Sequence, residues 1–209
     1  MTLPKDYQAP ENSLKDKSIL ISGGGSGIGK TAALSFAQHG ADLVLLGKNA
    51  EHLESTYHEF LDRNLKPPLL HVIDLEKANE EDFTEINNLV IEELGQLDGL
   101  LNNAGILGDK TSLENYKIEV WKKVFDVNVH SSFLLTRSLL PALRASKNSS
   151  IIFTSSGVGK KGRAYWGAYS LTKFATESMM QIFSEELENT SNIRVNSIDP
   201  GSVRTKMRA

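Results

Sequence analysis

The chain has 209 residues, 40% of them hydrophobic, which suits a single globular domain. A formal charge of −3 and a pI near 6.0 argue against a nucleic-acid surface as its main function, and the absence of cysteine excludes disulfides, thiolate metal sites and a thiol nucleophile. The five histidines show no metal-ligand spacing, so no metal is expected, and no run of eighteen apolar residues calls for a membrane span. Residues 1–16 read as an N-terminal extension. Met1 to Asn12 is polar with two prolines and lacks the apolar stretch of a signal peptide, so a cytoplasmic location is the expectation.

From residue 17 the pattern alternates. Runs of β type occur at 18–22, 42–46, 69–73, 99–102, 151–154 and 194–198, and helical patterns lie between them at about 27–39, 50–63, 80–94, 114–145 and 168–189. This alternation predicts an α/β fold with a parallel sheet and helices on both faces. Right-handed crossovers give a doubly wound, Rossmann-type sheet of order 3-2-1-4-5-6. Ligands of such sheets bind beyond the carboxyl ends of the strands, and the chain's distinctive residues fall there: Gly23, Lys48, Asp74, Asn102, Ser156 and Pro200 follow the six strands in turn.

The first strand runs into Gly23-Gly-Gly-Ser26-Gly27-Ile28-Gly29 and then a helix. Strand, glycine turn and helix form the setting of a dinucleotide cradle: glycines let the backbone approach a pyrophosphate, and the helix N-terminus offers free N–H groups and a positive dipole end. The spacing is G-x-x-x-G-x-G rather than G-x-G-x-x-G. Far downstream, Tyr169 and Lys173 stand four apart on a predicted helix and so share a face, thirteen positions after Ser156. A lysine in that place favours the ionised phenol, whose unperturbed pKa near ~10 is too high for acid–base work at neutral pH.

Together these motifs resemble the short-chain dehydrogenase/reductase family. The glycine motif matches, with Ser22 where the family usually has threonine. Asn102-Asn-Ala104-Gly105 matches its segment after the fourth strand, and Asp126-Val-Asn128-Val carries its asparagine. Ser156, Tyr169 and Lys173 match its serine, tyrosine and lysine, and Asp199-Pro200-Gly201-Ser-Val-Arg-Thr205 matches its Pro-Gly-x-x-x-Thr turn. The resemblance runs from Lys17 onward and is narrowest with a bacterial subgroup of uncharacterised oxidoreductases. Members are usually longer, adding a substrate loop and a seventh strand. Residues 17–209 are therefore read as the family domain, stopping before that strand.

The resemblance implies hydride transfer between a nicotinamide cofactor and a small carbonyl or alcohol substrate. Tyr169 would be general acid/base, Ser156 would stabilise the substrate oxygen, Lys173 would anchor the ribose and lower the tyrosine pKa, and Asn128 would support a water relay. Ser155 is expected to be a structural hydroxyl. Tyr165 and Trp166 are expected either at the mouth of the site or in the core. The cofactor expectation is NADP(H) over NAD(H). Strand 2 ends at Gly47, where NAD-dependent relatives carry an acid, and Lys48 follows, suited to a 2′-phosphate unless it is an ordinary loop lysine. Asp74 and Leu75 resemble the pair that contacts adenine, and Asn49 reads as a helix cap. Two rivals stay open: a 3-oxoacyl-carrier-protein reductase, for which Lys160-Lys-Gly-Arg163 could meet an acidic carrier, and a nucleotide-binding sensor or scaffold without turnover. A homo-oligomer is expected through the long helices at about 114–145 and 168–189, with Met179, Met180 and Phe183 at the contact or, alternatively, packed inward.

Overall fold

The computed structural model describes residues 7–203 and Met207. Six parallel strands form one sheet: β1 (Ser18–Ser22), β2 (Asp42–Gly47), β3 (Leu69–Val72), β4 (Gly99–Asn102), β5 (Ser149–Thr154) and β6 (Ile193–Ile198). Their order is β3-β2-β1-β4-β5-β6, as the alternation predicts. β1 lies at the centre, buried along its whole length, with Ile19 opposite Leu43 on one side and Gly99 on the other. A strand covered on both faces reads as a continuous apolar run, which explains the lack of polar alternation in β1 and β2.

Helices cover both faces. Helices α1 (Gly27–Gln38) and α2 (Ala50–Asp62) lie over Ile19, Ile21, Leu43 and Leu45, contributing Ala33, Leu34, Leu53 and Phe60. The other face is covered by α3 (Glu80–Leu94), α5 (Ser131–Ala145) and α6 (Gly167–Glu188), whose Phe83, Ile86, Leu135, Leu139 and Phe183 close over Leu20, Leu100 and Phe153. Asn49 caps α2 as expected, its Oδ1 accepting from His52 N at 2.8 Å.

The single helix expected at about 114–145 is broken. A 3₁₀ turn at Leu113–Asn115 is followed by extended Tyr116 and Lys117, then α4 (Ile118–Phe125), a π-helical turn at Asp126–His130, and α5. The π turn inserts one residue into the helical ladder, a local feature frequent at functional sites. On α6 the inward alternative is the one found. Phe183 is buried, and Met179 and Met180 pack against the core that holds it, so this trio faces the sheet. The apolar residues that α5 and α6 leave exposed are Phe133, Leu171, Phe174 and Ile182.

At the amino end of the strands Asp98 gathers five donors. Its carboxylate accepts from Lys17 Nζ at 2.9 Å, Ser18 N at 3.0 Å, Ser18 Oγ at 3.2 Å and Ser146 Oγ at 2.8 Å, with Gln96 Nε2 at 3.3 Å. This one side chain ties β1, β4 and the α5–β5 turn together at the end of the sheet away from the glycine-rich loop.

Candidate active site

At the carboxyl ends of the strands one cavity of about 430 Å³ runs from the glycine-rich loop to the start of α6. Its near wall is Gly23, Ser26, Gly27 and Ile28, and its floor is Ala104 and Gly105. Ser156, Tyr169, Lys173, Pro200 and Gly201 stand at the far end. Of the residues singled out in the sequence, these eleven meet around one space. Thr205 lies outside the described residues.

The loop's shape follows from its glycines. Gly23 has φ +73°, a left-handed conformation that costs glycine nothing. A Cβ on Gly29 would fall 2.2 Å from Gly23 O, so only glycine lets α1 start this close to β1. Ser26 caps α1 without a side-chain hydrogen bond, and no acid stands in the first turn, so the helix dipole and amides remain available to an anionic group. The facing segment is pinned by Ser22, whose Oγ accepts from Asn103 N and Ala104 N, both at 3.0 Å. A serine hydroxyl therefore holds the two loops in register at this position. Cradle, dipole and glycines fit a dinucleotide.

The asparagine pair after β4 divides its work. Asn102 is buried and faces α5, its Nδ2 donating to Thr136 Oγ1 at 2.9 Å, and it does not reach the cavity. Asn103 lines the cavity and donates to Ser22 O at 3.2 Å. The two-residue side-chain period of a strand separates these neighbours: Leu100 belongs to the core beneath α5, so Asn102 shares its face and Asn103 does not.

Lys48 and Asp74 stand outside the cavity and pair with each other at 2.9 Å, with Glu76 at 3.7 Å from the same ammonium. Burial is the largest influence on Asp74 and would raise its pKa, but the hydrogen bonds from Lys48 and the Glu76 amide, with the charges of Lys48 and Lys77, together outweigh it and the net shift is downward. Leu75 packs its side chain against the core rather than lining the cavity.

Lys173 is the most constrained group in the site. It is buried from α6, and its Nζ donates to the last carbonyl of β5, Thr154 O, at 2.6 Å, while standing 5.6 Å from the Tyr169 ring centroid. Burial pushes its pKa down from 10.5 to about 8. Half-buried Tyr169 sits in the first turn of α6, its ring tilted against Trp166 at 6.0 Å. The 3₁₀ turn at Gly157–Gly159 presses on the same helix. Ser170 Oγ donates to Val158 O at 2.6 Å, and a Cβ on Gly159 would meet Lys173 backbone at 2.8 Å. Ser156 begins that turn without spending its hydroxyl on a cap, so the Oγ remains available at the cavity wall.

Asn128 is buried in the π turn, and its side-chain amide is fully committed. Oδ1 accepts from Ile106 N at 2.8 Å, and Nδ2 donates to Ile106 O at 2.9 Å and Thr172 Oγ1 at 3.1 Å. It binds the β4 loop to α6 from behind rather than lining the cavity. Ser155, expected to be a structural hydroxyl, has a buried Oγ with no hydrogen-bond partner among the described residues. Tyr165 is 63% exposed and off the cavity, whereas Trp166 lines it. Among cavity residues that sequence reasoning did not select are Asn103, Leu107, Val158 and Asp199. Asn103 could have been found from the strand period, but nothing local marks Leu107 or Val158.

A doubly wound sheet with a glycine cradle and a Ser-Tyr-Lys constellation across one cavity defines a dinucleotide-dependent protein of the Rossmann class. The family model for short chain dehydrogenase matches residues 17–209, and the chain belongs to that family. It is similar to the uncharacterized oxidoreductase YciK of Escherichia coli K12, 41% identical over 203 residues, covering 97% of this chain and 80% of that one. A putative short chain dehydrogenase from Pseudomonas syringae superposes with TM-score 0.95 at 46% identity, over 98% of this chain and 83% of that one. Two further structures were solved with cofactor. The Shigella flexneri 2a protein, complexed with NADP, has TM-score 0.93 and 40% identity over 96% of this chain and 83% of that one. The Escherichia coli CFT073 protein, complexed with NADPH, has TM-score 0.92 and 41% identity over 96% and 83%. Among the described residues no helix is long and apolar enough to cross a membrane, and no cluster of acid or histidine side chains could hold a metal.

Proposed function

We propose that this chain is an NADP(H)-dependent oxidoreductase acting on a small carbonyl or alcohol, with Tyr169 as general acid/base. The observation that carries this reading is the placement of Lys173. Its buried ammonium is fixed on Thr154 O beside the Tyr169 ring, at the far end of the cavity that begins at the glycine cradle. A positive charge held there favours the phenolate and brings the phenol's acidity toward the working range.

The nicotinamide, when bound, supplies or accepts the hydride. In the reductive direction Tyr169 gives its phenolic proton to the carbonyl oxygen, and Ser156 Oγ donates a hydrogen bond to the same oxygen as charge develops on it. Lys173 holds the ribose hydroxyls and the charge beside the phenol. Asn128 acts as a positioning residue, clamping the Ile106 segment against α6 so that Tyr169 and Lys173 keep their register with the floor. The NADP(H) preference is supported by Gly47 and Lys48 and by the NADP and NADPH complexes of the two related structures.

Tyr169→Phe keeps the ring and removes the proton. It should reduce single-turnover reduction of carbonyl compounds by at least about a hundredfold while NADPH binding, followed by fluorescence, stays near normal. Near-normal turnover in this variant would show that the acid has been misassigned.

A further inference from the structure

We infer that the site takes carbonyl substrates that carry an anionic group, a carboxylate in the first place, at the end remote from the reacting oxygen; this rests on the oxidoreductase reading above. The backbone gives the first observation. The chain turns tightly between Arg163 and Trp166, with Trp166 N donating to Arg163 O at 3.3 Å. The third residue of that turn is Tyr165 at φ +67°, a conformation suited to glycine that a bulky aromatic resists. The Tyr165 side chain is 63% exposed, so its own burial does not explain the strain. What the turn accomplishes is to bring both its ends, Arg163 and Trp166, onto the wall of the cavity that holds Ser156 and Tyr169. Strain retained beside a site in this way marks a placed group.

The second observation is charge. From the opposite loop, Lys110 holds its ammonium 4.6 Å from the Trp166 ring centroid, so a second cation stands at the same wall. Lys160 and Lys161 precede the turn. Among the described residues none of these four cations makes an ion pair, and no carboxylate neutralises them. Two acids lie close by in sequence or in the cavity: Asp109 next to Lys110, and Asp199, whose Oδ1 already accepts from Gly201 N at 2.9 Å. On a chain of net charge −3, Arg163 on the wall and Lys110 against Trp166 set two charges of the opposite sign beside the cleft. Unpaired cations in that position concentrate anions. A guanidinium on the wall offers the planar fork that matches a carboxylate.

The test compares 4-formylbenzoate with its methyl ester, which share the reacting aldehyde and differ in charge. Because Trp166 lies on the wall, tryptophan fluorescence reports binding to the NADP-loaded protein without turnover, alongside KM for reduction. The acid should bind about tenfold more tightly than the ester, and the advantage should shrink with added salt. Arg163→Gln should bring the two to parity, Arg163→Glu should invert the preference, and Lys110→Gln should remove part of it. Equal affinity in the wild type, or a preference for the acid that survives both Arg163 variants, overturns the inference. If neither aldehyde is reduced but the Arg163-dependent preference appears in binding, the anion site stands and the oxidoreductase reading fails.

Discussion

The ammonium of Lys48 is 61% exposed and shared between Asp74 and Glu76, and Lys123 holds Glu76 from the other side at 2.8 Å. Its hydrogen bond to Asp74 raises the lysine pKa, so it is charged at neutral pH and can add a phosphate to its partners. We propose that Lys48 meets the 2′-phosphate of NADPH; Lys48→Ala removes its charge and leaves the Asp74 and Glu76 carboxylates without it. NADPH affinity should fall roughly tenfold or more, a charge-assisted contact being worth about 1.5–3 kcal/mol, with NADH little changed. Parallel titrations of both cofactors check this. Lys173 offers a prediction with the opposite electrostatics. Its folded pKa of about 8 lies below its ordinary 10.5, so burying the charge costs stability fully below pH 8 and the cost fades as pH rises from 8 to 10.5. Lys173→Met removes this titration. Denaturant unfolding of both proteins across that range should show the wild type gaining on the variant with rising pH, by up to roughly 3 kcal/mol. The variant should also lose NADPH affinity at pH 7.

At the scale of elements, Asp98 shows how one side chain closes a sheet. Burial alone would raise its pKa, but the donors from Lys17, Ser18, Ser146 and Gln96 outweigh it and hold the carboxyl at about 2, below its usual 3.8. The stabilisation is complete above pH 3.8 and is lost as pH falls toward 2. Asp98→Asn should lower stability by on the order of 2 kcal/mol at pH 7, and the wild-type advantage should vanish in acid titrations monitored by circular dichroism. Strand positions and the sheet order were legible in the sequence because buried parallel strands are short apolar runs bounded by turn residues. The break between 114 and 145 was not. The stretch from Ile118 to Ala145 is apolar enough throughout to look continuous, and the π turn carries no residue code; tertiary bonds from Asn128 to Ile106 and Thr172 hold it. For the same reason Asn128 could be selected as a site residue from sequence, but its committed side chain could not be foreseen.

For the whole molecule, the apolar residues exposed on α5 and α6 bear on assembly. Phe133, Phe174 and Ile182 are 42%, 41% and 53% exposed, while Met179, Met180 and Phe183 are turned to the sheet. If the protein forms a homo-oligomer through these helices, as we propose, then Phe174→Glu with Ile182→Lys should yield monomers in light scattering. Met179→Ala should instead lower stability without changing mass. The sheet order has one more consequence, for the chain as it is made. β1 is flanked by β2, which follows about twenty residues later, and by β4, whose Gly99 lies opposite Ile19. Eighty residues must therefore be synthesised before the second side of the most buried strand finds its partner, a long loop to close. Until then a growing chain carries β1 and its unpaired backbone groups as an open apolar edge. The strand at the centre of the finished sheet is, until β4 has been made, a segment open to the wrong partner.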